Sequence, residues 1–450
     1  MKKQNKIVII PKQIVTANAE MEIYRDKALV ISNGVIEQFV SKTEVGNITD
    51  AEIFRFDNFT LIPGFVQTHV HLCQTMFRGL ADDLELLDWL QQKIFVFENQ
   101  HNFDSLKASA KLGLYEFQKG GTTTILDMGT LRFQEAVFDE IINSKQRGFS
   151  GKCMIDENTL LPSFKESFDS EIRNTIKLAE TYHNSNKGRI KYGFAPRFVL
   201  SCSEKLLIDT FDMLNDFEGS LYHTHSAENL NEIDAVRELR GKENIEYFDS
   251  IGVLSENTVL AHCVHVNDKE IEQLVQSQTR VAHCPSSNLK LGSGIADIPR
   301  FLDENISVSL GADGAPCNNN LSMFTEMRLA ALIQKPIYGP TSMDAETVFR
   351  LATIEGAKAL HLEDQVGSLE IGKKADLVLL DLEQPSNCLI DDNKNIYSDI
   401  VYASRVDSVR EVMIDGDWVV KNSESCVYDG EEIVRDAKAE LTKLLKRIGA

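Results

Sequence analysis

The sequence is short of positive charge. Its 450 residues contain 47 Lys and Arg against 68 Asp and Glu, which gives a formal net charge of −21. Nucleic-acid backbones and anionic membrane surfaces both bind clustered Lys and Arg. The charge balance therefore argues against a nucleic acid or a membrane as partner. It also favours a neutral or zwitterionic small ligand over a polyanion.

Long apolar runs are absent as well. No stretch approaches the ~18 apolar residues that span a bilayer. The N-terminal run 7–10 stops at Pro11 and Lys12, short of the roughly 7–15 apolar residues of a secretory signal. The eight cysteines include no CxxC pair, which fits free thiols in a reducing compartment better than a disulfide framework. These features predict a cytoplasmic protein.

Motifs of three large enzyme classes are missing too. The sequence contains no HExxH, no GxGxxG and no Walker A motif, so a zincin, a Rossmann enzyme and a P-loop enzyme are not supported. Hydrophobic residues nevertheless make up 43% of the chain, which is ample for a buried core and excludes a disordered chain. We therefore look for an active site built on a different fold.

The two ends of the chain carry strand signals. Apolar residues flank Asn33-Gly34 in 28–36 and Asp415-Gly416 in 409–420, and 375–382 reads as a further strand. Asn-Gly and Asp-Gly favour the tight turns of β-hairpins, because both residues tolerate positive φ. We expect residues 1–60 and 366–450 to meet in one small composite β-sandwich.

The middle of the chain, 61–365, alternates apolar strands with amphipathic helices. This alternation predicts an α/β fold, a (β/α)₈ TIM barrel. The candidate strands are 61–67, 123–127, 152–156, 190–195, 220–225, 258–262, 279–283 and 306–312. The clearest candidate helices are 103–118, 171–183, 204–216, 228–240, 268–277 and 322–333.

Titratable or metal-ligating side chains stand at the end of each predicted barrel strand. In order they are His69 and His71, Asp127, Asp156, Arg197, His225, His262, His283 and Asp313. The carboxyl ends of barrel strands converge on one face, where active sites are built. His69 and His71 are two residues apart on a strand, so both imidazoles point to the same side.

Three histidines and one aspartate from this set predict a metal site. His69, His71, His225 and Asp313 form a plausible shell for one divalent ion, with Zn²⁺ preferred and Fe²⁺ or Mn²⁺ also suited to these ligands. His223 lies two residues deeper on the same strand as His225. The sequence leaves open whether His223 and His283 are functional or structural.

Three side chains are candidates for proton transfer and charge stabilisation. Glu228 follows His225 by three residues, where a carboxylate can move a proton between a metal-activated water and a substrate. His262 is either a further ligand or a group that polarises the attacked centre, and we favour the second because the shell is already filled. Asp313 can bind the metal and also accept the proton of the attacking water.

Several stretches together resemble the amidohydrolase superfamily. They are 63–71 (PGFVQTHVH), 121–124 (GTTT), 225–228 (HSAE), His262, 311–314 (GADG) and 367–377 (GSLEIGKKADL). The resemblance covers nearly the whole chain. It implies a one-metal subtype that hydrolyses an amino or chloro group from a heterocycle.

Within that superfamily, further stretches are similar to deaminases of 5′-deoxyadenosine, methylthioadenosine and S-adenosylhomocysteine. They are 71–79, 81–84 with Trp89, 283–291 and 311–320. The resemblance implies hydrolytic deamination of a small purine derivative, above all a 5′-modified adenosine. It also implies that Glu98 binds ribose hydroxyls and that Trp89 belongs to the substrate site. Loops such as 80–100 are candidates for a homo-oligomer interface near that site.

One departure from this branch, at Arg197, leaves the substrate open. Arg197 replaces a His that methylthioadenosine deaminases tend to carry, and Gln74 with Arg197-Phe198 is similar to guanine deaminases. A guanidinium only donates hydrogen bonds, so Arg197 suits a ring nitrogen or a guanine oxygen. Phe198 can stack on a purine. Deamination of guanine to xanthine is therefore the second reading, and hydrolysis of an s-triazine is the third.

Overall fold

The computed structural model describes residues 6–389 and 395–449. Strands from both ends of the chain come together as predicted, and they form one nine-stranded mixed sheet where the sequence predicts a small β-sandwich. Its members are Lys6–Val15, Ile23–Tyr24, Lys27–Ser32, Val35–Ser41, Ala51–Pro63, Leu377–Asp381, Val409–Ile414, Asp417–Lys421 and Glu424–Ser425. Ala51–Pro63 joins the two ends, because it pairs in parallel with Lys6–Val15 and antiparallel with Leu377–Asp381.

Both predicted hairpin turns are confirmed. Asn33 and Gly34 have φ values of 51° and 81°, and Asp415 and Gly416 have 52° and 83°. The two turns also lie against each other. A Cβ atom placed on Gly34 would come within 2.4 Å of the Asp415 carbonyl oxygen. Glycine at 34 therefore serves both the positive φ and the close approach of the second turn.

The predicted barrel is confirmed, with eight parallel strands in order around it. In chain order they are Phe65–Val70, Thr122–Asp127, Arg147–Ser150, Ile190–Pro196, Leu221–Ser226, Thr258–His262, Arg280–His283 and Val308–Leu310. The first and eighth strands meet through a bridge between Val70 and Asp313 and through the Asp313 amide, 3.0 Å from the His69 carbonyl oxygen.

The third barrel strand differs from its predicted position at 152–156. The strand is Arg147–Ser150, and Cys153–Met154 forms a separate two-residue strand. Gly151 lies between them where the backbone runs so close to Gly193 that a Cβ atom would be 1.8 Å from its carbonyl oxygen. The apolar signal was misplaced because this strand begins with a buried arginine and contains a glycine.

All six predicted helices are present, and the pattern missed others. The α-helices of six or more residues are Phe103–Lys119, Gln134–Asn143, Phe168–Tyr182, Glu204–Asp212, Leu230–Arg240, Asn244–Ser250, Asp268–Ser277, Pro285–Lys290, Ile298–Asp303, Met323–Ile333, Ala345–Leu351, Ile354–Ala359 and Gly430–Arg447. The last was unpredicted and packs on Phe103–Lys119, with Ala437 and Leu444 in a cluster with Phe77 and Phe97. Among the described residues, no helix combines the length and apolar character that crossing a bilayer requires.

Buried arginines at the start of two barrel strands tie the barrel to the end sheet. Arg147 binds Asp376 through two hydrogen bonds, of 2.8 and 3.0 Å, and Arg189 binds Asp415 at 2.9 Å. Arg147 and Asp376 are both shielded from solvent. The sheet is thus fixed at the end of the barrel opposite to the strand ends that carry the candidate site.

Candidate active site

The four predicted metal ligands converge at the carboxyl end of the barrel. The Nε2 atoms of His69 and His71 each lie 3.3 Å from Oδ1 of Asp313. The Nε2 atoms of His71 and His225 are 3.2 Å apart. His69, His71 and Asp313 are buried and His225 is partly buried, and Asp313 reaches the cluster from a left-handed backbone conformation with φ of 60°.

Hydrogen bonds on the far side of the rings orient two of these histidines. Nδ1 of His225 donates to the Arg197 carbonyl oxygen at 2.7 Å, which leaves the lone pair of its Nε2 facing the cluster. Nδ1 of His69 lies 2.8 Å from Nε2 of His223. With its hydrogen on Nδ1, His69 donates to His223 and likewise turns a lone pair on Nε2 toward Asp313. Such backing partners fix the ring orientation of metal-binding histidines.

The donor set suits a divalent ion. The ligand atoms of His69, His71 and His225 lie within 4.8 Å of one another, and so do those of His69, His262 and Asp313. Nitrogen lone pairs and a carboxylate oxygen crowded at these distances repel one another unless a cation or protons lie between them. Three imidazoles and one carboxylate match the ligands that zinc and related metals bind.

Burial keeps the ligands in their metal-binding forms. Burial lowers the pKa of His69 below its usual value and those of His71 and His225 well below it, so the imidazoles stay neutral. Burial alone would raise the pKa of Asp313. A proton on His69 or His71 outweighs that effect and draws the Asp313 pKa well below its usual range, so Asp313 is the last of these groups to be protonated. The aspartate is therefore a carboxylate.

Glu228 stands beside this cluster with the opposite protonation. Its Oε2 lies 3.4 Å from Nε2 of His262, and its Oε1 has no hydrogen-bond partner among the described residues. Burial, together with the charges of Asp313 and Glu232, raises the pKa of Glu228 well above its usual value. A buried carboxyl of this kind can carry a proton to a bound molecule.

His262 completes the polar side of the site. Its Nδ1 lies 2.9 Å from Oδ1 of Asn288, which accepts the ring hydrogen, and its Nε2 lies 3.8 Å from Oδ2 of Asp313. The same carboxylate oxygen accepts a hydrogen bond from the Ser287 hydroxyl at 2.6 Å. Sequence reasoning assigned no role to Ser287 or Asn288, although both lie in the stretch 283–291 that carried the family resemblance.

A cavity opens onto these groups. It is lined by His71, Gln74, Leu86, Trp89, Leu90, Arg197, Phe198, His225, Glu228, Glu232, His262 and Asp313. Four of the five predicted substrate residues are among them. Leu86 and Leu90 were missed because a leucine on a short helix carries no chemical signal. Two strand-end carboxylates stay outside: Asp127 accepts from the Leu72 amide and Asp156 from the Ser203 amide.

The fifth predicted substrate residue, Glu98, lies behind the cavity wall. Its Oε1 accepts a hydrogen bond from Gln74 Nε2 at 2.7 Å, and its Oε2 accepts one from Arg197 Nη1 at 3.0 Å. Both carboxylate oxygens are thus engaged by residues that line the cavity. Oε1 of Gln74 has no partner in the described part of the chain.

His223 and His283 take different positions. His223 supports His69 from deeper in the barrel, as described above, and is itself buried. His283 is also buried, and neither of its ring nitrogens has a hydrogen-bond partner among the described residues. Burial lowers its pKa to about 3, so its ring is neutral. Neither residue belongs to the groups of converging ligand atoms.

Two curated relatives align with nearly the whole chain. The 5′-deoxyadenosine deaminase of Methanobrevibacter smithii is 34% identical over 93% of this chain and 93% of its own length. The 5-methylthioadenosine/S-adenosylhomocysteine deaminase of Desulfitobacterium hafniense is 32% identical over 96% of this chain and 97% of its own.

Solved structures show the same architecture. An adenosine deaminase from Xanthomonas campestris with bound zinc superposes with a TM-score of 0.91 at 26% identity, over 98% of this chain and 99% of that one. Guanine deaminase from E. coli gives 0.81 at 25% identity, over 93% and 99%. A triazine hydrolase from Arthrobacter aurescens gives 0.89 at 21% identity over 97% and 99%, which speaks for the fold alone.

The amidohydrolase profile matches residues 60–419, which include every strand of the barrel and the ligand cluster. Two relatives that are more than 30% identical over nearly the whole chain agree with this match. The chain belongs to the amidohydrolase family.

Proposed function

We propose that this protein is a metal-dependent hydrolytic deaminase of an aminopurine, with a 5′-modified adenosine as its substrate. The observation that carries the proposal is the position of Glu228. A carboxyl group with a raised pKa and an unpartnered oxygen stands beside His262 and the ligand cluster, at the wall of the cavity.

The proposed ligands are His69, His71, His225 and Asp313, and the proposed ion is Zn²⁺. Zinc is favoured because the 26% identical adenosine deaminase was crystallised with it, while Fe²⁺ and Mn²⁺ also suit this donor set. When bound, a divalent ion at this cluster supplies Lewis acidity and lowers the pKa of water to about 7.

The side chains of the site can then account for each proton. Asp313, held as a carboxylate, accepts a proton from the water that attacks the carbon bearing the amino group. Glu228 donates its proton to the adjacent ring nitrogen, so the ring can accept the electron pair. A second proton, on Nε2 of His262, lets that ring donate a hydrogen bond to the oxygen that becomes negative while Nδ1 stays bonded to Asn288. Asp313 returns its proton to the exocyclic nitrogen, the carbon–nitrogen bond breaks and ammonia leaves, and the proton of the new hydroxyl group passes back to Glu228.

The curated relatives support an adenosine derivative first, and the substrate residues support guanine second. Both curated relatives described above are named for adenosine derivatives, which favours the first reading. Gln74, Arg197 and Phe198 line the cavity, and the engagement of Glu98 by Gln74 and Arg197 removes a free acceptor for ribose hydroxyls. That arrangement favours guanine as the second candidate. An s-triazine is third, since only the fold supports it.

The experiment is a substrate panel with ammonia release as the readout, and chloride release for the chlorotriazine. The panel contains adenosine, 5′-deoxyadenosine, methylthioadenosine, S-adenosylhomocysteine, guanine, 8-oxoguanine and a chlorotriazine. We expect the highest kcat/KM on a 5′-modified adenosine. A higher value on guanine would transfer the assignment to the second candidate. The absence of ammonia from every compound with zinc-loaded protein would refute the deaminase assignment.

A further inference from the structure

Glu326 is a buried carboxylate that lies outside the cavity wall. It belongs to the helix Met323–Ile333, and its exposed fraction is 0%. Among the described residues, no Lys, Arg or His forms an ion pair with it. A buried carboxylate without a cation is costly unless hydrogen bonds compensate for the lost water. Its retention in the core therefore calls for a role.

Three neutral donors surround the carboxylate of Glu326. Oε1 accepts hydrogen bonds from the Ser286 hydroxyl at 2.6 Å and from Asn318 Nδ2 at 2.8 Å. Oε2 accepts one from the Ser286 backbone amide at 3.2 Å. The two residues that supply these donors lie in segments that follow barrel strands. Ser286 follows the seventh strand and Asn318 the eighth. Glu326 thus joins two loops of the catalytic face.

The loop that contains Ser286 holds the two polar groups of the site. Ser287 donates to Oδ2 of Asp313 at 2.6 Å, and Oδ1 of Asn288 lies 2.9 Å from Nδ1 of His262. Three consecutive residues therefore bind Glu326, Asp313 and His262 in turn. Any shift of Ser286 on Glu326 displaces both neighbours, because all three lie on the short helix Pro285–Lys290.

The loop that contains Asn318 holds the backbone beside Asp313. Asn318 Nδ2 binds the Ala312 carbonyl oxygen at 2.8 Å as well as Glu326. Asp313 is therefore fixed twice, at its carboxylate through Ser287 and at its backbone through Asn318. Both contacts depend on Glu326, because it binds Asn318 directly and binds Ser286, the residue next to Ser287.

We infer that Glu326 is a positioning residue for the catalytic centre. It sets the register between the loop 285–290 and the segment 312–318, so that Asp313 and His262 face the cavity together. The expected loss of kcat rests on the proposed function. The expected loss of metal affinity does not depend on the reaction, because Asp313 is also a proposed metal ligand. Partners in this position typically change activity or metal affinity by about 10–100-fold.

The test compares Glu326→Gln with Glu270→Gln. Glu270 is a matched control because it is equally buried and accepts three donors, from the Ile245 amide and the amide and Nδ2 of Asn267. It lies on Asp268–Ser277 and does not line the cavity. In each variant the glutamine amide places an NH₂ group opposite a hydrogen-bond donor, so at least one hydrogen bond is lost.

Four quantities are measured on the full-length protein: zinc affinity by chelator competition, kcat and KM on the best substrate of the panel, and the thermal unfolding midpoint. We expect both variants to unfold at lower temperature. Only Glu326→Gln should weaken zinc binding, by about 10–100-fold, and lower kcat by a similar factor with little change in KM. Equal zinc affinities and equal kcat in the two variants would overturn the inference.

A milder variant covers the case in which Glu326→Gln does not fold. Ser286→Ala removes the hydroxyl donor and keeps the backbone amide, so it should shift zinc affinity and kcat in the same direction by a smaller factor. Wild-type zinc affinity and kcat in Ser286→Ala would then count against the inference. If the wild-type protein binds zinc but releases no ammonia, the proposed function fails while the zinc comparison still decides the role of Glu326.

Discussion

His223 stands directly behind His69, with Nε2 of the one 2.8 Å from Nδ1 of the other and the two rings at 84°. Neither ring can rotate without breaking this contact. The pair extends the ligand cluster one layer deeper into the barrel. We therefore expect His223 to hold His69 in the orientation that turns Nε2 toward the other ligands.

Replacement of His223 should weaken metal binding. His223→Leu removes the acceptor of the His69 hydrogen, so we expect zinc affinity to fall by about 10–100-fold. Chelator competition measures the change. His283→Leu is the control, because that ring is equally buried and makes no hydrogen bond to another described residue. Equal losses of affinity in the two variants would mean that His223 acts only through packing.

Loss of the Glu228 proton should separate turnover from metal binding. Glu228→Gln keeps the shape of the side chain and removes the group with the raised pKa. We expect kcat to fall by roughly 10²–10⁴-fold while bound zinc stays unchanged. Ammonia release and metal analysis of the purified variant measure the two quantities. A variant with normal turnover would show that another group supplies the proton.

Removing one partner of the Arg197–Glu98 ion pair should destabilise the fold more than removing both. Both side chains are buried, at 3% and 1% exposure, so Arg197→Met leaves an uncompensated carboxylate. We expect the free energy of unfolding to fall by about 3–5 kcal/mol. Urea titration measures it, and Arg197→Met with Glu98→Gln should regain most of the loss. A double variant no more stable than Arg197→Met would argue against this account.

His101 should make the fold sensitive to acid. Its Nε2 donates to the Cys73 carbonyl oxygen at 2.8 Å, and burial lowers its pKa from 6.5 to about 4. The unfolded chain therefore binds the proton first as pH falls. Its contribution to stability is complete above pH 6.5 and is lost between pH 6.5 and about 4. The loss approaches about 1.4 kcal/mol per pH unit in that window.

The measurement is the free energy of unfolding at about pH 7, 6 and 5 for the wild type and His101→Gln. The glutamine stays neutral and retains an amide donor. We expect the wild type to lose about 2 kcal/mol more than the variant by pH 5. Parallel curves for the two proteins would contradict the prediction.

The contact between the two hairpin turns should make Gly34 unusually intolerant of a side chain. Gly34→Ala forces a methyl group into the Asp415 backbone at a φ of 81°. Gly252→Ala is the control, since Gly252 has a φ of 74° and nothing within 4 Å of the added carbon. We expect the control to cost about 1–2 kcal/mol and Gly34→Ala to cost about 1–3 kcal/mol more. Equal losses in urea titration would show that only the dihedral angle matters.

Features that depend on residues close together in the chain could be predicted from the sequence. His69 and His71 are two residues apart on one strand, so their shared direction follows from strand geometry. The Asn-Gly and Asp-Gly turns are equally local. The barrel follows from alternation along the chain, and once its strand ends converge, His225 and Asp313 come close to the first two histidines.

Contacts between distant residues could not be predicted in the same way. Glu98 and Arg197 are 99 residues apart in sequence, and nothing in either neighbourhood indicates that they pair. The hydrogen bonds of Glu326 to Ser286 and Asn318 depend on how two loops and a helix pack. The division into 1–60 with 366–450 and 61–365, the residue roles at the site, the cytoplasmic location and the homo-oligomer stay predictions.

The joining of both chain ends in one sheet constrains synthesis. Ala51–Pro63 offers a hydrogen-bonding edge that only Leu377–Asp381 covers. Ribosomes add about 5–20 residues per second, so this edge waits roughly 15–60 s for its partner while the barrel emerges. An uncovered strand edge recruits other chains during that interval. The edge of Ala51–Pro63 is therefore open to mispairing with other chains until Leu377–Asp381 leaves the ribosome.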